Sequence, residues 1–271
     1  AQIFWSENFE SGSTSGTLAG AYGGWTTAST GTNGSFSNLW YVSCAENGHT
    51  SGICGTGCVA VSATATLATL HVGATGSFGG DGGASYFAGP LSSTTNLRAE
   101  SPTMNCTGKI GITMSFYDIE NGDGANDDAS VWYYNGSAWS LLVNTPKTPA
   151  GTCSPQGEWT HYSIALPASA NNNPNVKIGF NWTDNDDGMG TDPSFAVDSI
   201  SLSVPASSGP PSASMTASAT TACEDSCITV TNTCTGTVDS ARWSCPGATI
   251  ATTSSSPATV CFVGVSGTKT I

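Results

Sequence analysis

Three clusters of carboxylates carry most of the chemistry that this sequence offers. The first, "ENGDGANDDASVWYY" at 120–134 with Asp118 just ahead of it, sets Asp118, Glu120, Asp123, Asp127 and Asp128 among glycines before an aromatic run. The second, "TDNDDGMGTDPSFAVDS", holds Asp184, Asp186, Asp187, Asp192 and Asp198, and the third, "SENFESG", holds Glu7 and Glu10. Calcium takes about six to eight oxygens from carboxylates, Asn side chains and turn carbonyls, and glycine lets the backbone aim those carbonyls inward. Asp118 and Glu120 continue the alternation of Ile110, Ile112, Met114 and Phe116, so they are expected on the core side of a strand. There a carboxylate costs several kcal/mol unless it is hydrogen-bonded or paired. Asp198 shares the parity of Ile200, Leu202 and Val204 and is expected semi-buried at the start of the last strand. Neither loop has the twelve-residue EF-hand spacing, so a calcium site must be assembled from distant segments. For any single Asp the competing reading is a solvated turn, since Asp, Asn and Gly are ordinary turn formers.

Composition explains why a cation is invoked at all. The chain of 271 residues has six Lys and Arg against 19 Asp and Glu, a formal charge of -13. Most carboxylates therefore have no side-chain cation to pair with, and phosphate backbones and anionic membrane surfaces are repelled. Nucleic acid is excluded as a partner. No apolar run approaches the roughly 18 residues of a membrane span, so no membrane insertion is expected. The opening "AQIFWSENFE" has no Met, basic region or apolar stretch, and reads as a mature secreted chain whose signal peptide has been removed.

Ten cysteines, without paired His ligands at zinc spacing, point to disulfides and an oxidising compartment. Cys44, Cys54, Cys58, Cys106 and Cys153 precede a Pro/Ser/Gly stretch, and Cys223, Cys227, Cys234, Cys245 and Cys261 follow it. With an odd number on each side, either one bridge crosses that stretch or each side keeps an unpaired thiol. The expected pairings are Cys106 with Cys153 and two of Cys44, Cys54 and Cys58 together.

Catalytic motifs are missing. There is no H-E-x-x-H, no G-x-S-x-G and no phosphate-binding Gly loop, and His49, His71 and His161 lie in unrelated contexts. Two carboxylates among 19 are no signal for glycoside hydrolysis, and a non-enzyme is expected. Trp132 and Tyr134 have the opposite parity to Val131 and Tyr133. One pair can therefore face solvent as a platform on which sugars stack, with packing across a sandwich as the competing fate.

The elements that must position these groups are strands. Charged residues make up 9% of the chain, against about 25% in an average globular protein. Gly, Ser, Thr and Asn fill the deficit between β-branched and aromatic runs. Alternation of period two recurs in "KIGITMSFYDIE", "ASVWYY", "AWSLLV", "EWTHYSIAL", "VKIGFNW" and "FAVDSISLSV", and "NGS" at 135–137 has the form of a hairpin turn. The expected class is all-β, a sandwich or jelly roll over residues 1–204. A linker follows at 205–214, "PASSGPPSAS" counted from Pro205. A second strand-rich domain at 215–271 has Trp243 as its large core candidate and is read as incomplete at its C-terminal end.

The run from "NLRAESPTMNC" to "DPSFAVDSI", with "ENFESG" before it, resembles the jelly-roll domains at the N-termini of large secreted or cell-surface proteins of Bacteroidetes, related to MAM-like and cleaved-adhesin modules. The resemblance covers about residues 1–204 and implies an ion shared by a Glu of the first strand and an Asp of the last, here Glu10 and Asp198. The tail resembles a PKD domain, an immunoglobulin-like sandwich that serves as a spacer, although its cysteines depart from that pattern. The resemblance also implies type IX secretion and O-glycosylation at Asp-Ser followed by an apolar residue, which Ser199 and Ser240 fit. Together these imply a secreted or surface adhesion module with structural calcium, its ligand a glycan, a cell-surface protein or a copy of itself. The metal candidates are Glu10, Asp118, Glu120, Asp123, Asp128, Asp186, Asp187 and Asp198. An accessory region of an exported hydrolase and a subunit of a surface fibre are the alternatives.

Overall fold

A computed structural model of the protein describes residues 1–10, 18, 22–55, 67–153, 156–206, 214–234, 248–250 and 257–264. The described residues form strands and short 3-10 turns with no α-helix, so the fold is all-β. The chain divides into two compact units, Ala1–Pro205 and Ala206–Ile271.

The first unit has two antiparallel sheets. One is a six-stranded sheet built from β1 (Gln2–Glu7), β3 (Leu39–Ser43), β4 (Thr69–Gly73), β6 (Thr113–Gly122), β9 (Thr160–Ala165) and β11 (Thr191–Val204). Its order is β3-β4-β11-β6-β9. The edge of β11 that faces β4 at Ala196 and Val197 also carries β1, from Ile200 to Val204. The five-stranded sheet has the order β2-β5-β10-β7-β8, from β2 (Thr26–Ser29), β5 (Thr95–Glu100), β7 (Asp128–Tyr134), β8 (Trp139–Asn144) and β10 (Lys177–Asp184).

Alternation decides which side chains fill the space between the sheets. Met114 and Phe116 of β6 and Phe195 and Val197 of β11 face Val131 and Tyr133 of β7 and Ile178, Phe180 and Trp182 of β10 in one core, all of them nearly inaccessible to solvent. Phe180 is its centre, with ring centroids 5.3 Å from Phe116 and 5.9 Å from Phe195. Burying an aromatic side chain of this kind stabilises by about 1.5–3 kcal/mol. The hairpin at 135–137 forms as its sequence predicts. Gly136 takes a positive φ, and Asn135 Oδ1 accepts from the backbone N–H groups of Ser137 and Ala138, each at 2.9 Å.

Two expectations of parity need correction. Ile110 lies ahead of β6 and is 63% exposed, so the core face begins at Ile112. Asp198 does not share the face of Ile200 and Leu202. The register with β6 shifts between Asp198 and Ser201, and Ser199 takes φ 50°. This bulge flips the alternation, so Asp198 sits in mid-strand and projects with Ala196 away from the main core. On that side a smaller cluster of Ala84, Ile119, Trp159 and Ala196 is buried.

The cysteine pairing also differs. Cys54 bonds to Cys153 and Cys227 to Cys261. Cys106 is a buried free thiol, because its position on the loop after β5 places it in the main core while Cys153 faces the 45–55 loop. Cys58, Cys245, Trp243 and Ser240 lie outside the described residues.

In the second unit the described residues give a four-stranded sheet. Its order is β12-β13-β15-β14, with β12 (Met215–Ala217), β13 (Cys227–Asn232), β14 (Thr249–Ile250) and β15 (Ala258–Cys261). Ile228, Val230, Ala258 and Val260 form its small core, and the disulfide joins directly paired residues of β13 and β15.

Candidate metal centre and binding face

The structure distributes the predicted metal ligands over four places. Inside the sandwich, Asp118 and Glu120 project from β6 beside Phe116, 1% and 0% exposed. Both oxygens of Asp118 accept no hydrogen bond from any other residue, and neither does Glu120 Oε2. Glu120 Oε1 is well served, accepting from Ala129 N at 3.0 Å and Lys147 Nζ at 2.7 Å. Burial, and then the charge of Glu120, pushes the Asp118 carboxyl up to about 8. Burial pushes Glu120 up to about 7 against the pull of Lys147. Unpartnered carboxylate oxygens are hard donors, the ligand type that calcium takes.

On the other face of the same sheet, Asp198 is held by its neighbours. Its Oδ2 accepts from His49 N at 3.0 Å and lies 3.3 Å from His49 Nδ1, and its Oδ1 accepts from Ser199 N at 2.6 Å. The His49 ring lies flat on Tyr117, centroids 3.7 Å apart. Glu10 approaches this group from beyond β1. Its carboxyl is raised first by burial and second by the charge of Asp198, and its hydrogen bonds are to Asn8. Ser199 Oγ is 3.1 Å from His49 Nδ1 and is half-buried.

The remaining candidates are engaged in their own loops. Asp186 accepts from Ser92 N, Ser93 N and Ser93 Oγ at 2.9–3.0 Å, and these bonds hold its carboxyl below the ordinary range. Asp187 accepts from Asn185 Nδ2 and Met189 N, each at 2.8 Å, and Asp123 from Asn126 Nδ2 at 3.1 Å. Asp128 takes Lys147 Nζ at 2.6 Å. Among the described residues no three His, Cys, Asp or Glu side chains converge as a metal cage.

The crowding of the 120–134 stretch thus has protein partners that its own residues do not reveal. Lys147 lies between Glu120, Asp128 and the Asp127 carbonyl. Tyr86 Oη donates to Asp127 at 2.6 Å, and Asn38 Nδ2 donates to Asp184 at 2.9 Å. Gly122, with φ 89°, is required there, because a Cβ would run into the Asp127 carbonyl. Sequence reading also missed a second network, in which buried His71 spans Thr69 Oγ1 at 3.0 Å and Asp81 Oδ1 at 2.8 Å.

The outward face of the five-stranded sheet carries the other candidate site. Val131 and Tyr133 point into the core, and Trp132 and Tyr134 point out, half-buried. Trp132 is registered between Gly179 of β10 and Leu141 of β8, and Tyr134 between Lys177 and Trp139. The Arg98 guanidinium crosses from β5 to lie 3.9 Å over the Trp139 ring and 5.4 Å from Trp132, and its Nε and Nη2 both bond Glu100 Oε1. Gly179 makes the crossing possible. A Cβ there would come within 2.7 Å of Arg98 Cδ and 3.0 Å of Trp139 Cζ3. Asn96, Asn181 and Ser130 continue the face as a polar row, with Asn181 Nδ2 on Asn96 Oδ1 at 3.1 Å.

No protein-family model matches the chain, and no curated protein matches it. Among solved structures, the K1 cleaved adhesin domain of Lys-gingipain from Porphyromonas gingivalis W83 is similar at 15% identity and TM-score 0.38, covering 74% of this chain and 98% of that one. The K3 cleaved adhesin domain of the same protein gives 13% and 0.31, over 70% and 97%. The glycoside hydrolase domain of Endo-D from Streptococcus pneumoniae R6 gives 12% and 0.29, with 80% of this chain and 27% of that one covered. Two of the three are cleaved adhesin domains. At such identities and scores none of them bears on what this chain binds.

Proposed function

We propose that the first unit is a non-catalytic adhesion or binding module of a secreted or cell-surface protein, a jelly roll stabilised by calcium, with the second unit as a PKD-like spacer. The observation that carries this reading is the outward band of Trp132, Tyr134 and Trp139 with Arg98 laid across it. Large aromatic side chains, half-exposed and backed by a buried Arg98, are among the groups that dominate binding energy at recognition surfaces. A face that served only to cover the core would be as well covered by the threonines and asparagines used elsewhere on this sheet.

The disulfides favour an extracellular location, since such bonds persist in oxidising compartments. Calcium, held by Asp118 with Glu120 and by Glu10 with Asp198, would neutralise the charge of these acids beyond what the Lys147–Glu120 pair already offsets. It binds only the folded arrangement and so adds stability that rises with its concentration.

Beads coated with the whole chain, flowed over fixed cells, test the reading. Retention that drops at least tenfold in Trp132→Ala, with an unchanged melting temperature, is the expected result. Equal retention of the variant, or none by the wild type, would overturn it.

A further inference from the structure

Resting on that binding reading, we propose that the outer face of the five-stranded sheet is a site for a neutral glycan, with Trp132 and Trp139 as its stacking floor and Glu100, Asn96 and Ser130 as its hydroxyl-binding row. Four observations converge on this ligand class.

The first is contiguity. Trp132, Tyr134 and Trp139 occupy adjacent registered positions on β7 and β8, and Tyr134 and Trp139 are 5.3 Å apart between centroids. A pyranose ring presents a face of C–H bonds carrying partial positive charge, which suits the negative face of an indole. The second is rigidity. Arg98 is only 7% exposed, held at one end by Glu100 and along its plane by Trp139, and Gly179 gives it room. Trp132 Nε1 is fixed on Ser130 Oγ at 2.9 Å. A floor already in place loses little entropy when a ligand arrives.

The third is the polar composition of the adjoining row. Carboxylate, amide and hydroxyl groups in one plane supply both donors and acceptors, as a sugar's hydroxyls require. Leu141 is the one large aliphatic exposed on this face, at 49%, which is little for a protein partner. The fourth is charge. At -13 the chain repels polyanions, which removes nucleic acid and sulfated glycans, the other ligands that stack on aromatic and guanidinium planes.

The test uses the whole 271-residue chain against immobilised neutral hexose and N-acetylhexosamine oligosaccharides, with heparin and a serum-protein coat as comparisons. Binding to one or more neutral glycans is expected, weakened at least tenfold in Trp139→Ala and in Glu100→Gln, with near-UV circular dichroism confirming the fold. If the alanine variant does not fold, the wild type still decides. The eight tryptophans give separate indole N–H resonances, and the bound oligosaccharide should shift those of Trp132 and Trp139 alone. Glycan binding that leaves these two signals unmoved, or binding to heparin alone, overturns the proposal. Attachment to the protein coat or to cells without glycan binding overturns the proposal while leaving the adhesion reading intact, and absence of binding to every surface sinks both.

Discussion

Lys147 Nζ lies 2.7 Å from Glu120 Oε1, joining a side chain that is 29% exposed to one that is wholly buried. The pair closes the mouth of the core where β6 gives way to the acidic loop. Removing the cation leaves a charge in an apolar space, and breaking a buried pair from one side costs about 3–5 kcal/mol. Lys147 is partly solvated, so Lys147→Met should cost somewhat less, about 2–4 kcal/mol in urea unfolding. Glu120→Gln in that background should recover part of the loss. A double-mutant cycle showing no coupling would disprove the pairing.

Glu46 makes stability depend on pH. It is 1% exposed, its Oε2 accepts from Ala84 N at 3.0 Å, and its Oε1 has no partner. Burial raises its carboxyl from 4.5 to about 7, opposed by the Ala84 bond and the charge of His71 and reinforced by Asp192 and Asp81. A folded-state value above the unfolded one means that the neutral form is favoured by folding. Its contribution is complete below about pH 4.5 and is lost as pH rises through about 7. Glu46→Gln should remove a slope approaching about 1.4 kcal/mol per pH unit from this window and make the variant the more stable protein at pH 8. Superimposable pH profiles would disprove it.

For calcium the two carboxylate pairs give separable outcomes. At a concentration about one hundredfold above Kd an ion adds about 2.7 kcal/mol, roughly 5–10 °C in a domain of this size. Glu10→Ala and Asp198→Ala should each lower the melting temperature in calcium, and Asp118→Asn should raise it in EDTA while shrinking the calcium increment. Identical calcium and EDTA curves, with no calcium found by elemental analysis, would remove the ion from the account.

The Cys54–Cys153 bridge closes a loop with a sequence separation of 99. Loops of that length gain about 4–5 kcal/mol from a cross-link by restricting the unfolded chain. Cys54→Ala with Cys153→Ala should lower stability by about 2–5 kcal/mol, measured by calorimetry. The 45–55 segment that carries His49 to Asp198 should become accessible to protease first.

How far the sequence could be read follows from these residues. Alternation found the core faces of β6, β7 and β10, because in a strand the side-chain period is fixed by geometry. It failed at Asp198, since a single bulge residue reverses parity and nothing in "VDSIS" announces one. Asp118 and Glu120 were legible as inward-facing, because they extend a hydrophobic face without interruption. Lys147 and Tyr86, which tie down the acidic loop, come from segments 19 or more residues away in "TPKTP" and "GASYF". No local pattern marks such a partner, although six basic residues in the whole chain leave few cations from which an acidic loop can draw one. The outward face was legible as a parity of Trp132 and Tyr134, but Arg98 joined it only through sheet order.

β11 touches β4 and β1 along one edge and β6 along the other, and it comes last in the first unit. A nascent chain halted before Thr191 leaves β1 with no strand to join, β4 with β3 alone and β6 with β9 alone. The six-stranded sheet therefore closes only when β11 arrives. Synthesis or translocation must deliver about two hundred residues before native pairing closes, and a truncation anywhere upstream should yield material for proteases rather than a smaller working domain.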